Sequence, residues 1–311
     1  MQAERHHARP VGQRIRRILL GFRFTDGILF KTAIYTMLIG IGFIYVYPLL
    51  HMLTVSLKDL QDLLSPTVYY LPTKIYLENF RMSYDVLKYP ATLLSSLSVT
   101  LLPAVLQTLV ASLVGYGFAR FRFPFRKTLF VLVLTTYIIP PQITMIPRFV
   151  LFNDIGLLNS MWAVIVPATV GQGLNSAIFI LIFYQFYKMI PKALDEAAQI
   201  DGARHLTIYL KIAIPLSIPS FVTSFLFSFV WYWNETYISS LFLGSSVQTL
   251  QLRLLTFVSS YQDLFPGQAN MINEGIRMAA TLLIILPMLV VYFALQRLFI
   301  EGIDKAGITG E

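Results

Sequence analysis

The chain has 311 residues, of which 56% are hydrophobic and only 13% charged, with 24 Phe and 17 Tyr; a soluble domain usually carries about 25% charge. That excess of apolar surface, gathered into several runs of about 20 residues, excludes a single water-soluble core and points to an integral membrane protein. There is no cysteine, which removes disulfides, thiol nucleophiles and cysteine-ligated metals. The net charge of +8 sits in short flanks between apolar runs, a pattern of membrane topology rather than nucleic-acid binding.

Residues 1–31 form a basic leader, with Arg5, Arg9, Arg14, Arg16, Arg17, Arg23 and Lys31 against Glu4 and Asp26. Between Ile15 and Phe24 the arginines mix with Ile18, Leu19, Leu20 and Phe22, which suits an anionic cytosolic leaflet. The apolar run from Thr32 to Leu57 is too long for a signal peptide and predicts the first transmembrane helix. Further spans are expected at about 91–118, 128–147, 161–187, 216–243 and 276–299.

Six spans put both termini on one side. Seven of the 24 Lys and Arg (Lys58, Lys74, Arg81, Lys88, Arg148, Arg253 and Arg277) flank the opposite side and the other 17 flank this one, which predicts cytosolic termini. The expected organisation is a leader at 1–31, one six-helix permeation domain at 32–299 and a tail at 300–311. No internal repeat is visible. The fold class is an all-α integral membrane protein, and loops 58–90 and 244–275 read as ordered caps on the outer face.

Two breaks are predicted at membrane depth. Pro140-Pro141 ends the third helix, since paired prolines remove ladder donors and bias the preceding residue away from helical angles. Gly171-Gln172-Gly173-Leu174-Asn175 divides the fourth segment. Non-helical backbone at that depth needs cover from protein or a water-filled cavity, so a polar path runs near these breaks, or else 161–175 is an interfacial entry to an ordinary helix.

Seven of the 40 Lys, Arg, Asp and Glu fall between Lys188 and Lys211. In that polar interruption Pro191 suits a first helical turn, Ile190, Leu194, Ala197 and Ala198 share one helical face, and Lys192, Asp195, Gln199 and Arg204 lie away from it. Asp201-Gly202 ends the helix with a glycine suited to a left-handed cap. A second short helix runs to about Ile212, and Pro215 opens the fifth span. By spacing alone this is either a helix across the cytosolic mouth or a mere connector.

Chemistry is sparse. There is no phosphate-binding loop, no dinucleotide fingerprint and no H-E-x-x-H, and His6, His7, His51 and His205 are too scattered for a triad or a metal site. Any uphill transport must draw energy from a partner or an ion gradient. Near the outer third of the fifth span lie Trp233, Asn234 and Glu235, either sugar-contacting groups of a translocation path or an interfacial aromatic belt.

Glu196-Ala197-Ala198, Gly202, Ile212 and Pro215 resemble the E-A-A-x-x-x-G-(x9)-I-x-L-P loop of binding-protein-dependent ABC importer permeases, with Ile214 in place of the Leu. Gly115-Tyr116-Gly117-Phe118-Ala119-Arg120-Phe121 and Gly156-Leu157-Leu158-Asn159 are similar to the carbohydrate branch, in particular the second permease of maltose-type systems. The resemblance implies a type I ABC importer fold with a cytosolic coupling helix in 188–215. It implies Glu196, Ala197, Ala198, Asp201, Gly202 and Ala203 as ATPase-docking residues, and a tail from Gly302 to Gly310 that reaches toward the ATPase dimer. The implied partners are a second permease, an ATPase dimer carrying ATP and Mg, an extracytoplasmic solute-binding protein and a bacterial or archaeal cytoplasmic membrane. The chain itself is then expected to bind no cofactor and catalyse nothing. The competing readings are a lone ion-coupled secondary transporter and an ABC importer permease for a non-sugar solute, and the identity of the sugar stays open.

Overall fold

The computed structural model describes residues 27–308, so most of the basic leader and the last three residues lie outside it. The described residues are helical with no strand, and their contacts divide into two compact units between Leu77 and Glu78. This cut separates the first predicted span from the other five, where the sequence suggests one domain over 32–299. The backbone between the first two spans, 58–77, folds locally onto itself, which gives the first unit contacts of its own.

In the first unit, helix α1 (Ile28–Ser56) is apolar on every side, with Pro48 inside it and almost all its side chains exposed. At 29 residues it is about 44 Å long, ample for a hydrocarbon layer of about 30 Å. The loop beyond it is tied down by charge turned inward. Lys58 Nζ donates to the carbonyls of Val68 and Tyr69 at 2.8 and 2.9 Å. Asp59 caps α2 (Leu60–Leu64) by accepting from the Asp62 N–H, and Asp62 accepts from the Thr73 N–H and hydroxyl. Within this unit the expectation of an ordered cap is met.

The second unit comprises α3 (Glu78–Leu87), α4 (Tyr89–Arg120), α5 (Arg126–Ile138), α6 (Pro141–Asp154), α7 (Trp162–Thr169), α8 (Ser176–Met189), α9 (Lys192–Ile200), α10 (His205–Ile208), a π segment (Tyr209–Ala213), α11 (Ile214–Leu216), α12 (Ile218–Asn234), α13 (Tyr237–Phe242), α14 (Leu250–Leu255), α15 (Phe257–Leu264), a 3-10 turn (Pro266–Met271) and α16 (Glu274–Ile308). Helix α4 is the central post: α7, α8 and α12 pack along it, and α12 packs in turn on α16. Small residues allow this. A Cβ on Gly115 would stand 2.7 Å from the Phe183 Cβ and 2.9 Å from the Tyr184 nitrogen of α8, so the two backbones meet where only glycine fits.

Three helices are long and apolar enough to cross a membrane, namely α1, α4 and the Glu274–Leu298 part of α16. Three further bent pairs pass the same test of length and apolarity together, α5 with α6 at 97°, α8 with α9 at 71°, and His205–Leu216 with α12 at 75°, and the number is six when each is counted as one span. The expected spans 32–57, 91–118 and 276–299 are thus met by single helices, whereas 128–147, 161–187 and 216–243 are each interrupted by a break. Residues 128–147 do not form one helix, because Pro140 and Pro141 turn the chain through a near right angle. The fifth span begins at Ile218 rather than Pro215: Pro215 cannot donate into the ladder and sits after a π turn, where the Ile214 N–H reaches back to Tyr209. Its far end stops at Asn234, and α13 follows as a separate helix.

Candidate functional site

Two regions of the second unit collect polar groups. At one end lies the interruption between α8 and α12. Pro191 caps α9 instead of occupying its first turn, with ψ of 133°. The helix closes on a left-handed Gly202 with φ of +81°. The Gly202 N–H bonds the Gln199 carbonyl at 3.0 Å and the Ala203 N–H bonds that of Ala198 at 2.9 Å, the paired closure that a C-terminal glycine permits. Its expected terminus therefore stands.

The orientation of α9 is set by an ion pair that spacing alone does not reveal. Asp195 faces the body of the chain: its Oδ2 lies 3.2 Å from Nε of Arg120, the last residue of α4, and the two side chains are 17% and 8% exposed. Arg120 Nη2 also donates to the Ile190 carbonyl at 3.0 Å. The face turned away is apolar, with Leu194, Ala197 and Ile200 exposed, Ile200 at 87%. Of the stripe that periodicity groups, Ile190 is buried and Ala198 half-buried against the body, while Leu194 and Ala197 stay exposed. Of the residues implied by the resemblance, Glu196, Ala197, Asp201 and Gly202 are exposed while Ala198 and Ala203 are half-buried. Ile200 and Leu206 (64% exposed) were not singled out in the sequence, although an isolated apolar residue in a polar loop was the available signal.

Behind α9 a buried hydroxyl network fastens the loop to the bundle. Ser112 of α4 bonds the hydroxyls of Tyr187 at 2.6 Å and Tyr209 at 2.9 Å, and Tyr187 reaches Ser217 at 3.2 Å. Tyr116 packs on both tyrosines, with ring centroids 5.3 and 4.9 Å away. His205 meets Phe121 edge-on at 5.2 Å. The π turn and the bend at Ser217 are thus held by α4 and α8.

The second region lies where helices are broken. The stretch 170–175 is non-helical, and Leu174 has both backbone groups satisfied by neighbouring helices: Gln107 Nε2 donates to its carbonyl at 2.6 Å, and its N–H donates to the Tyr232 hydroxyl at 3.1 Å. Tyr232 in turn donates to Gln107 Oε1 at 2.8 Å. A Cβ on Gly173 would collide with Gln107 Oε1 and the Tyr232 hydroxyl. The expected division of the fourth segment is present, covered by protein as backbone at membrane depth requires.

Beside this node a hollow of about 20 Å³ is lined by Arg148, Gln172, Tyr232 and Glu235. Arg148, Gln172 and Gly173 also line a larger cavity of about 240 Å³. Glu235 accepts from the Ile238 N–H at 2.6 Å, near the start of α13. Trp233 instead is 2% exposed and stacks on Phe229 within the core, so it does not line the cleft. Asn234 is exposed and donates to the Val230 carbonyl. Among the described residues no cluster of three or more His, Asp or Glu is placed to hold a metal.

Residues 91–305 match the family described as the binding-protein-dependent transport system inner membrane component. The chain belongs to this family. It is similar to the polygalacturonan/rhamnogalacturonan transport system permease of Bacillus subtilis, 31% identical over 91% of this chain and 99% of that one. The osmoprotective compounds uptake permease of Synechocystis is 33% identical over 88% of this chain and 90% of its own length. In fold it matches, at TM-score 0.72 and 21% identity, a chain of a bacterial ABC transporter involved in import of the acidic polysaccharide alginate, covering 86% of this chain and 96% of the other. The chain is thus an ABC importer permease, a multi-pass inner-membrane component that works with a solute-binding protein.

Proposed function

We propose that this chain forms half of the translocation path of an ATP-driven sugar importer and passes the work of a separate ATPase into the membrane through α9. It is non-catalytic, with ATP and Mg held on the partner subunits, and it pairs with a second permease. Both termini face the cytosol, in keeping with the 17 Lys and Arg on that side.

One observation carries the reading. Helix α9 has a closed glycine cap and an ion pair to α4, yet has no buried residue and turns Leu194, Ala197 and Ile200 outward. A short helix fixed to its own chain by polar contacts, with an apolar face left open, is built to fit a groove in another protein. Glu196, Asp201 and Gly202 rim that face. Sugar as the cargo is supported by the polygalacturonan relative.

The test is reconstitution of the complex in proteoliposomes. Ile200→Glu or Glu196→Ala should abolish ATP-driven uptake while the external binding protein keeps its affinity for the cargo. ATP hydrolysis by this chain alone, or uptake on a proton or sodium gradient without the ATPase, would falsify the assignment. The osmoprotectant relative favours a second reading, a non-sugar compatible solute as cargo. Identifying the small molecule that co-purifies with the binding protein separates the two.

A further inference from the structure

Three departures from regular helix meet at one cleft. The turn at 139–140, the stretch 170–175 and the junction before α13 all contribute to the 240 Å³ cavity or to the hollow that adjoins it. Tyr232, which walls the hollow, lies 14 residues into α12, or about 21 Å along its axis, well inside a hydrocarbon layer of about 30 Å.

Arg148 lines both spaces. Arg148 has no described carboxylate within 4.0 Å; the ion pairs seen in this unit at Arg81–Glu78 and Arg120–Asp195 lie elsewhere. Glu235, across the hollow, accepts from the Ile238 N–H instead. An arginine that lines a cavity beside a membrane-spanning helix is costly unless something polar meets it, and it marks a path for a charged or polar solute. The larger cavity has no acid in its lining, and it adds the exposed amides of Gln172 and Asn175, the hydroxyls of Thr136 and Thr144, and the half-exposed ring of Tyr137. The first turn of α8, at Ser176 and Ala177, also opens on it, and its partial positive charge adds to that of Arg148.

We propose that this cleft seats a carboxylate-bearing sugar unit of the transported solute, with Arg148 gripping the carboxylate. This rests on the sugar-importer reading above. A guanidinium forks onto a carboxylate through two parallel N–H bonds, the amides and hydroxyls suit ring hydroxyls, and Tyr137 offers a flat face. The cavity is slightly smaller than the roughly 300 Å³ at which ligand pockets begin, so it holds one ring of an oligomer at a time. A lipid phosphate fits less well, because headgroups lie at the bilayer surface and Pro167, Gly173 and Tyr232 wall the hollow.

The test uses the complete complex with its partner permease, ATPase and binding protein in proteoliposomes. The probes are di- and trimers of galacturonate and mannuronate, together with the carboxyl-reduced neutral form of each. Acidic oligomers should enter, and Arg148→Gln should slow that uptake about tenfold or more, the scale for one charge-assisted contact. Arg148→Lys should retain part of it, and binding-protein affinity should not move. Uptake of neutral sugars alone, unaffected by Arg148→Gln, overturns the Arg148 assignment and leaves the sugar reading intact. A binding protein that carries a non-sugar solute, with no sugar of either charge taken up, overturns both. Equal loss for acidic and neutral oligomers with a lowered unfolding temperature makes Arg148 a structural residue. A bound phospholipid lost with Arg148→Gln while uptake is unchanged makes it a lipid contact, and either result refutes the proposal.

Discussion

The ion pair between Arg120 and Asp195 should decide whether α9 moves with the membrane helices or apart from them. At 3.2 Å and an effective dielectric near 20, the gross attraction is about 5 kcal/mol. Desolvating two side chains that are 8% and 17% exposed offsets much of it, leaving about 2 kcal/mol for a contact that has the distance of an ion pair without hydrogen-bond geometry at Nε. Arg120→Gln and Asp195→Asn should each raise amide exchange across 192–203 about 30-fold, since 1.4 kcal/mol is a factor of ten. Each should also lower uptake per ATP hydrolysed. The double variant should be less impaired than the sum of the singles, because it leaves no unpaired charge behind. The measurement is hydrogen–deuterium exchange by mass spectrometry on the intact complex, with uptake and hydrolysis assayed in parallel. Exchange that changes less than about threefold in both singles, or effects that add without coupling, would refute the view that this pair holds α9 to α4.

Two further substitutions follow from glycines with different duties. Gly202 is at φ +81° with open space around it, so Gly202→Ala should cost about 1 kcal/mol of cap stability, while Gly202→Asn, which tolerates that angle, should keep more uptake. Equal loss in both would shift the requirement from backbone angle to contact with a partner. Gly173→Ala drives a methyl into Gln107 and Tyr232 and breaks the three bonds around Leu174. At about 0.6 to 1.5 kcal/mol each this totals about 2–4 kcal/mol, read as a drop in the unfolding temperature of the detergent-purified complex; an unchanged temperature would show that the node is not needed for stability.

Much of this fold is legible residue by residue. Pro140-Pro141 and the run from Gly171 to Asn175 announce breaks because proline and glycine act on their own backbone. What those breaks do in space is not local: the 97° turn after Ile138 depends on packing, and Arg148, which counts as a loop cation in a tally of charge by flank, is carried by that turn into the cleft beside Tyr232 and Glu235. The partner of Asp195 is hidden for the same reason. A helical wheel groups the residues of α9 by face, but the contact that orients the helix is with Arg120, 75 residues away in sequence. Trp233 fails as a path residue because one turn of α12 decides whether an aromatic meets the cleft or Phe229.

The polar side chains of the second unit divide by whether their partner lies in this chain. Gln107, Tyr232, Ser112, Tyr187, Tyr209 and Ser217 bond one another or nearby backbone, and they sit where helix gives way, at Leu174 and at the π turn before Ser217. Each irregularity is thereby held in one geometry and tied to α4, so α9 at one end of that helix and the cleft beside it share a support. Arg148, Gln172 and Asn175, with no ion pair or side-chain bond among the described residues, face the cleft, and Leu194, Ile200 and Leu206 face outward from the α9 loop. A family whose work is to join a binding protein outside to an energy source inside requires such a division. The satisfied groups hold each irregularity in one geometry, and the unsatisfied ones are those that the proposed function assigns to the cargo and to the ATPase.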